Sequence, residues 1–188
     1  EIVNRSEHPV NLAEISICNR NAKGELGSSK ALSRDPFMLD PGAYCLLTSD
    51  IESLRSEFTL DSSLRYLIVK SMPSMPNDKG CVVLLDHESN IIDECYYSSA
   101  MHHSLLSNKE GIALEKIHPD LASAEAGSWI SASADAAYGT PGRINSQYRS
   151  MELSDARDGF IAEQDWFAPY GDSKQNVWVL SYAFKDLR

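Results

Sequence analysis

Apolar residues along this chain cluster in short runs that alternate with turn residues, and almost nowhere at helical spacing. Residues 10–18, 44–48, 66–69, 81–86, 91–97 and 112–117 are rich in β-branched, aromatic and aliphatic side chains and are bounded by turn chemistry, so each predicts a strand. The best helical stretch, residues 51–58, follows Ser49-Asp50, which can cap it, and is two turns at most. A second candidate turn lies at 99–107.

Between the runs fall Asn21-Ala22-Lys23-Gly24, Asp40-Pro41-Gly42, Pro76-Asn77-Asp78-Lys79-Gly80 and His87-Glu88-Ser89-Asn90. Pro41-Gly42 supplies a tight turn, with φ preset at the first position and free at the second. Residues 81–95 read as the clearest hairpin, two apolar runs facing across a four-residue polar loop. Strands at this spacing predict an all-β antiparallel sandwich or barrel. Small residues, Tyr138 and Gly139-Thr140-Pro141-Gly142 replace the strand pattern over 132–145, as in a closing loop.

At 188 residues the chain holds one buried core plus an appendage, and 43% hydrophobic with 23% charged residues is the balance of a folded protein. Seventeen basic against 27 acidic residues leave a net charge of −10 with no basic cluster, which argues against nucleic acid and anionic membrane as partners. No run of eighteen apolar residues occurs, so no direct membrane insertion is expected. The first residues already read as a strand, and upstream sequence is expected to precede them.

Several phrases, taken in order, carry a resemblance. Glu1-Ile2-Val3-Asn4-Arg5-Ser6 leads into Pro9-Val10-Asn11-Leu12, and Leu39-Asp40-Pro41-Gly42-Ala43-Tyr44-Cys45-Leu46-Leu47-Thr48 follows. Val82-Val83-Leu84-Leu85-Asp86 with Ile91-Ile92-Asp93-Glu94, then Tyr97 to His102 and Glu110-Gly111-Ile112-Ala113-Leu114-Glu115-Lys116-Ile117, continue it. Trp129, Thr140-Pro141-Gly142 and Asn145-Ser146-Gln147 close it. Over residues 1–147 this order resembles the lamin-tail domain in the form found in large exported proteins of Gram-negative bacteria. Ala113 and Lys116 depart from its commoner Ser and Arg, and one of its upstream strands is missing here. The resemblance implies an immunoglobulin-like antiparallel β-sandwich serving as a structural or interaction module.

His102 and His103 are adjacent, and neighbours on a strand point to opposite faces, so they do not make a shared metal site. Asp86, Asp93 and Glu94 flank the hairpin, where turn capping explains them better than calcium binding, Asp93 accepting backbone N–H bonds. Asp155-Ala156-Arg157-Asp158-Gly159 fails as a calcium loop because Arg157 and Gly159 occupy ligand positions, and Gly171-Asp172-Ser173 lacks a nucleophile elbow and assignable partners. Asn4-Arg5-Ser6 matches a glycosylation sequon by chance. Cys18, Cys45, Cys81 and Cys95 form no C-x-x-C pair and read as buried free thiols, although Cys81 and Cys95 face each other in one of the two hairpin registers.

The sequence therefore predicts no catalytic, cofactor or metal residues and no enzyme. The resemblance implies a non-catalytic structural or protein-interaction module of an extracytoplasmic protein, in the periplasm, at the outer membrane or on the cell surface, with a protein or glycan partner and scope for edge-strand self-association. The alternative is a carbohydrate-binding module whose platform would be Tyr96, Tyr97, Tyr138 and Trp129. Residues 148–188 read as a linker and the truncated start of a further β module, in which Trp178, Leu180, Tyr182 and Phe184 share one face of a strand that must dock or pair. Phe167 to Asp172 resembles the turn that opens an immunoglobulin-like domain of such proteins.

Overall fold

The computed structural model describes residues 1–150, 159–162 and 180–183. It divides into Glu1–Ser150 and Met151–Arg188. The first unit is built from β1 (Ile2–Val3), β2 (Val10–Asn11), β3 (Ser16–Asn19), β4 (Lys30–Ala31), β5 (Met38–Leu39), β6 (Tyr44–Thr48), α1 (Ile51–Glu57), β7 (Tyr66–Ile68), β8 (Lys79–Leu85), β9 (Ile91–Ser98), β10 (Leu114–Lys116) and β11 (Trp129–Ser131). In the second unit β12 (Gly159–Ala162) pairs antiparallel with β13 (Leu180–Ala183). The rest of the expected strand near 177–184, its docking, and the 167–172 phrase lie outside the described residues.

The fold is β-rich with little helix. Its largest sheet runs β4-β3-β8-β9, all antiparallel, and a second runs β1-β6-β7. Two-stranded pairs β2-β5 and β10-β11 complete the unit. The hairpin expected over 81–95 is the centre of the large sheet, with Asp86 N–H donating to the Asn90 carbonyl at 3.0 Å across its loop. Asp86 Oδ1 accepts from the N–H groups of Glu88 and Asn90, so this carboxyl caps the turn. Gly42 takes φ +72 in the Pro41-Gly42 turn, closed by Ala43 N–H donating to the Asp40 carbonyl.

Three strand expectations are corrected. Residues 10–18 are not one strand, because Asn11 accepts from Ala13 N–H and Phe37 N–H and bends the chain into a 3-10 turn, Leu12–Glu14, between β2 and β3. The strand expected at 112–117 shrinks to β10, since Gly111 at φ +75 and the Ala113 N–H bond to Tyr138 hold the preceding residues in a turn. The sheets are not uniformly antiparallel. β6 and β7 run parallel, which their connection permits because α1 lies within it. Asp50 Oδ1 accepts from the N–H groups of Glu52 and Ser53, satisfying two orphan donors at the helix start.

Strand β8 is apolar on both faces, which is how a strand covered on both sides reads. Cys81, Val83 and Leu85 join Cys18 in one buried cluster. Val82 and Leu84 point the other way with Ile17, toward Leu32 and Val69 and toward Ile2, Leu47 and Leu67 of the second sheet. A third cluster, Leu12, Leu39 and Cys45, ties β2-β5 to β6. Each such side chain contributes roughly 1.5–3 kcal/mol when fully buried. Val82, Leu84 and Leu47 are only partly buried, and a cavity opens beside them.

Candidate functional site, a cavity beside the largest sheet

The cavity holds about 540 Å³, within the range of small-ligand sites. Its floor is aliphatic: Ile17, Val82 and Leu84 from β3 and β8, Leu47 from β6, Met72, and Leu114 from β10. Strand alternation explains the set, since 82 and 84 share one face of β8 and the register places Ile17 opposite Leu84. On β9 the same face carries Asp93, Cys95 and Tyr97, which also reach the cavity. Tyr97 lies across Gly80, its partner in register, where any side chain would collide with the ring. Its hydroxyl donates to the Pro76 carbonyl at 3.0 Å.

One wall is polar and assembled from three segments. Lys116 on β10 donates to Ser123 Oγ at 2.7 Å and to the Pro119 carbonyl at 3.0 Å. Ser123, in the β10-β11 connection, donates in turn to Asp93 Oδ2 at 2.7 Å. Trp129 Nε1 donates to the Ser123 carbonyl at 2.9 Å, and the Lys116 ammonium lies 5.9 Å from the indole centre. Burial pushes the Lys116 ammonium below its ordinary value, and the Asp93 charge offsets part of that. Asp93 Oδ1 accepts from the Glu94 N–H, so this carboxyl takes one backbone bond and one hydroxyl bond.

Glu94 points to the opposite face of β9. Arg20 donates to both its oxygens at 2.7 and 2.8 Å, and the Cys81 thiol donates to Oε1 at 3.4 Å. The guanidinium, outweighing partial burial, holds the Glu94 carboxyl down at about 2. Behind β10, Glu115 is 4% exposed and accepts from the Ser146 N–H at 2.8 Å, the Ser146 hydroxyl at 2.6 Å and the Thr140 hydroxyl. Asn145 Nδ2 donates to the Lys116 carbonyl at 2.9 Å, so the closing loop is sewn to β10.

The other sequence candidates scatter. His102 Nδ1 sits 3.0 Å from the Ser131 hydroxyl at the cavity rim, whereas His103 points elsewhere and accepts from the Leu105 N–H. Burial, helped by Lys109, pushes the His102 imidazole below its ordinary value. Tyr96 and Tyr97 are neighbours on β9 and project from opposite faces, so the four rings considered for sugar stacking do not form one row. Trp129 is partly buried and also lines the cavity. Residues 155–158 and 171–173 lie outside the described residues.

The register answers the one thiol question left open by the sequence. Cys81 pairs with Tyr96 and Val82 with Cys95, which puts the two sulfurs on opposite faces of the sheet. All four thiols are free, and burial pushes Cys45, Cys81 and Cys95 each to about 11.

Sequence reasoning missed Ser123 and the buried state of Glu115. Glu115 left a signal, because Ala113 and Ile117 share its face and a carboxyl between apolar neighbours on one strand face needs donors. Ser123 left none. Comparison of the chain with protein-family models, with curated proteins and with solved structures finds no match in any of the three.

Proposed function

We propose that residues 1–147 are an immunoglobulin-like β-sandwich of the lamin-tail type that acts as a non-catalytic structural or protein-interaction module of an extracytoplasmic bacterial protein, the interaction role being the one the cavity supports. The observation that carries this reading is the cavity, which combines an aliphatic floor with polar side chains already engaged by one another. Lys116, Ser123 and Asp93 are tied in one chain of hydrogen bonds, and Cys95 beside them is held protonated at about 11. A wall built this way orients a bound partner and offers no activated nucleophile and base pair. The packing of Ile17, Val82 and Leu84 toward the β1-β6-β7 sheet supports the two-layer arrangement. The family and the compartment rest on the ordered phrases between Glu1 and Gln147.

Arrays of immobilised peptides and glycans probed with the labelled chain test the reading. Retention by a discrete set of peptides is expected. Retention by glycans alone transfers the function to carbohydrate binding, where Tyr97 and Trp129 in the cavity wall would stack, and retention by neither class overturns the proposal.

A further inference from the structure

The cavity touches β9 at Asp93, Glu94 and Cys95, and Glu1 with β1 at Ile2 and Val3. Consecutive residues of a strand point to alternate faces, so a space that meets them in sequence runs along the backbone edge and not only across one face. Both strands are outermost in their sheets, each with an edge unpaired among the described residues. Strand β9 is the long one, eight residues, and carries neither proline nor lysine, two residues that blunt sheet edges.

Its outward donors can be identified. Ser99 N–H donates across to the Asp78 carbonyl at 2.8 Å, so by alternation the N–H groups of Ser98, Tyr96 and Glu94 point away from β8. Ser98 N–H meets Met101 Sδ at 3.2 Å, and Glu94 N–H meets Asp93 Oδ1 at 3.0 Å. Among the described residues no acceptor meets the Tyr96 N–H. The edge is therefore blunted at two points by local side chains, one of them a thioether, a weak acceptor that an incoming carbonyl can replace, and open at the centre.

Resting on the interaction-module reading, we propose that this site takes an extended segment of a partner polypeptide by strand addition to the β9 edge, with its alternate apolar side chains entering the cavity over Val82, Leu84 and Leu47. Main-chain bonds give affinity in this mode and alternate side-chain pockets give selectivity. Charge selects the partner's flanks. The chain carries −10, and the carboxylates of Glu1, Asp93 and Glu94 in the cavity lining outnumber the cations Arg5 and Lys116, so a basic segment is favoured over a second acidic copy.

The test uses the full chain and a synthetic fluorescent peptide, Lys-Lys-Val-Thr-Val-Thr-Val-Thr-Lys-Lys, followed by anisotropy. Saturable one-to-one binding is expected, weakening with salt. Val82→Trp, which fills the cavity, and Tyr96→Pro, which removes the outward donor while sparing the β8-β9 ladder, are each expected to weaken it at least tenfold, with circular dichroism showing the fold retained. A peptide N-methylated at alternate residues is expected to bind at least tenfold more weakly. If a variant unfolds, the N-methylated peptide on the wild-type chain decides. Equal binding of methylated and unmethylated peptides overturns strand addition, as does saturable self-association of the chain that excludes the peptide. Array peptides retained equally by wild type, Val82→Trp and Tyr96→Pro leave the interaction module standing and remove this site from it, whereas no peptide retention at all removes both.

Discussion

Ser146 gives both its N–H and its hydroxyl to one oxygen of the buried Glu115, at 2.8 and 2.6 Å. The contact joins β10 to the closing loop thirty-one positions on. It explains why a charged residue is accepted there, because every donor aimed at the carboxyl is supplied by the loop it anchors.

Truncation of that carboxyl leaves the Ser146 N–H and the Thr140 hydroxyl without their acceptor in a buried place. Glu115→Ala is expected to lower stability by about 3 kcal/mol, and Ser146→Ala by about 1–2 kcal/mol. Urea denaturation of both single variants and the double variant checks this. Additive losses would show that the two groups act independently.

The Glu94-Arg20 pair makes a prediction in acid. The carboxyl sits at about 2 in the fold against an ordinary value of 4.5, so its contribution is fully present above pH 4.5 and is lost as pH falls from there toward 2. Thermal melts across that window are expected to show a falling midpoint, and Glu94→Gln is expected to flatten the slope. An unchanged slope in the variant contradicts the assignment.

For the thiols the sign reverses. Cys45, Cys81 and Cys95 stand at about 11 against an ordinary 9.0, so the fold holds their protons more tightly than the unfolded chain does. Their contribution is complete below pH 9 and is lost between 9 and 11. The native chain is expected to alkylate slowly with iodoacetamide at pH 8, and the denatured, unreduced chain to react at all four cysteines. Fewer than four in the denatured chain would contradict four free thiols.

In the β8-β9 loop Ser89 holds φ +70 after a turn closed by its own N–H donating to the Asp86 carbonyl. This is the left-handed position at which such hairpins favour glycine. Ser89→Gly is expected to stabilise the protein by roughly 0.5–1 kcal/mol, since the strain of a side chain there exceeds the added freedom of the unfolded chain. A lower denaturation midpoint would count against it.

What the sequence determined by itself is local. Tyr44–Thr48, the Asp50 cap on Ile51–Glu57, the Pro41-Gly42 turn and the 87–90 hairpin loop were all legible, because each depends on interactions within a few residues. Tertiary structure decided the rest. The break at Leu12–Glu14 depends on Asn11 also holding the distant Phe37 N–H, and alternation of apolar residues gave no sign of it. The parallel pairing of β6 with β7 depends on where α1 delivers the chain, and the faces of Cys81 and Cys95 on a register that differs from its alternative by one residue. The polar wall of the cavity is the extreme case: Asp93, Lys116 and Ser123 come from β9, β10 and the loop after it, and hydrogen bonds of 2.7 Å exist between them only once packing has brought three segments together.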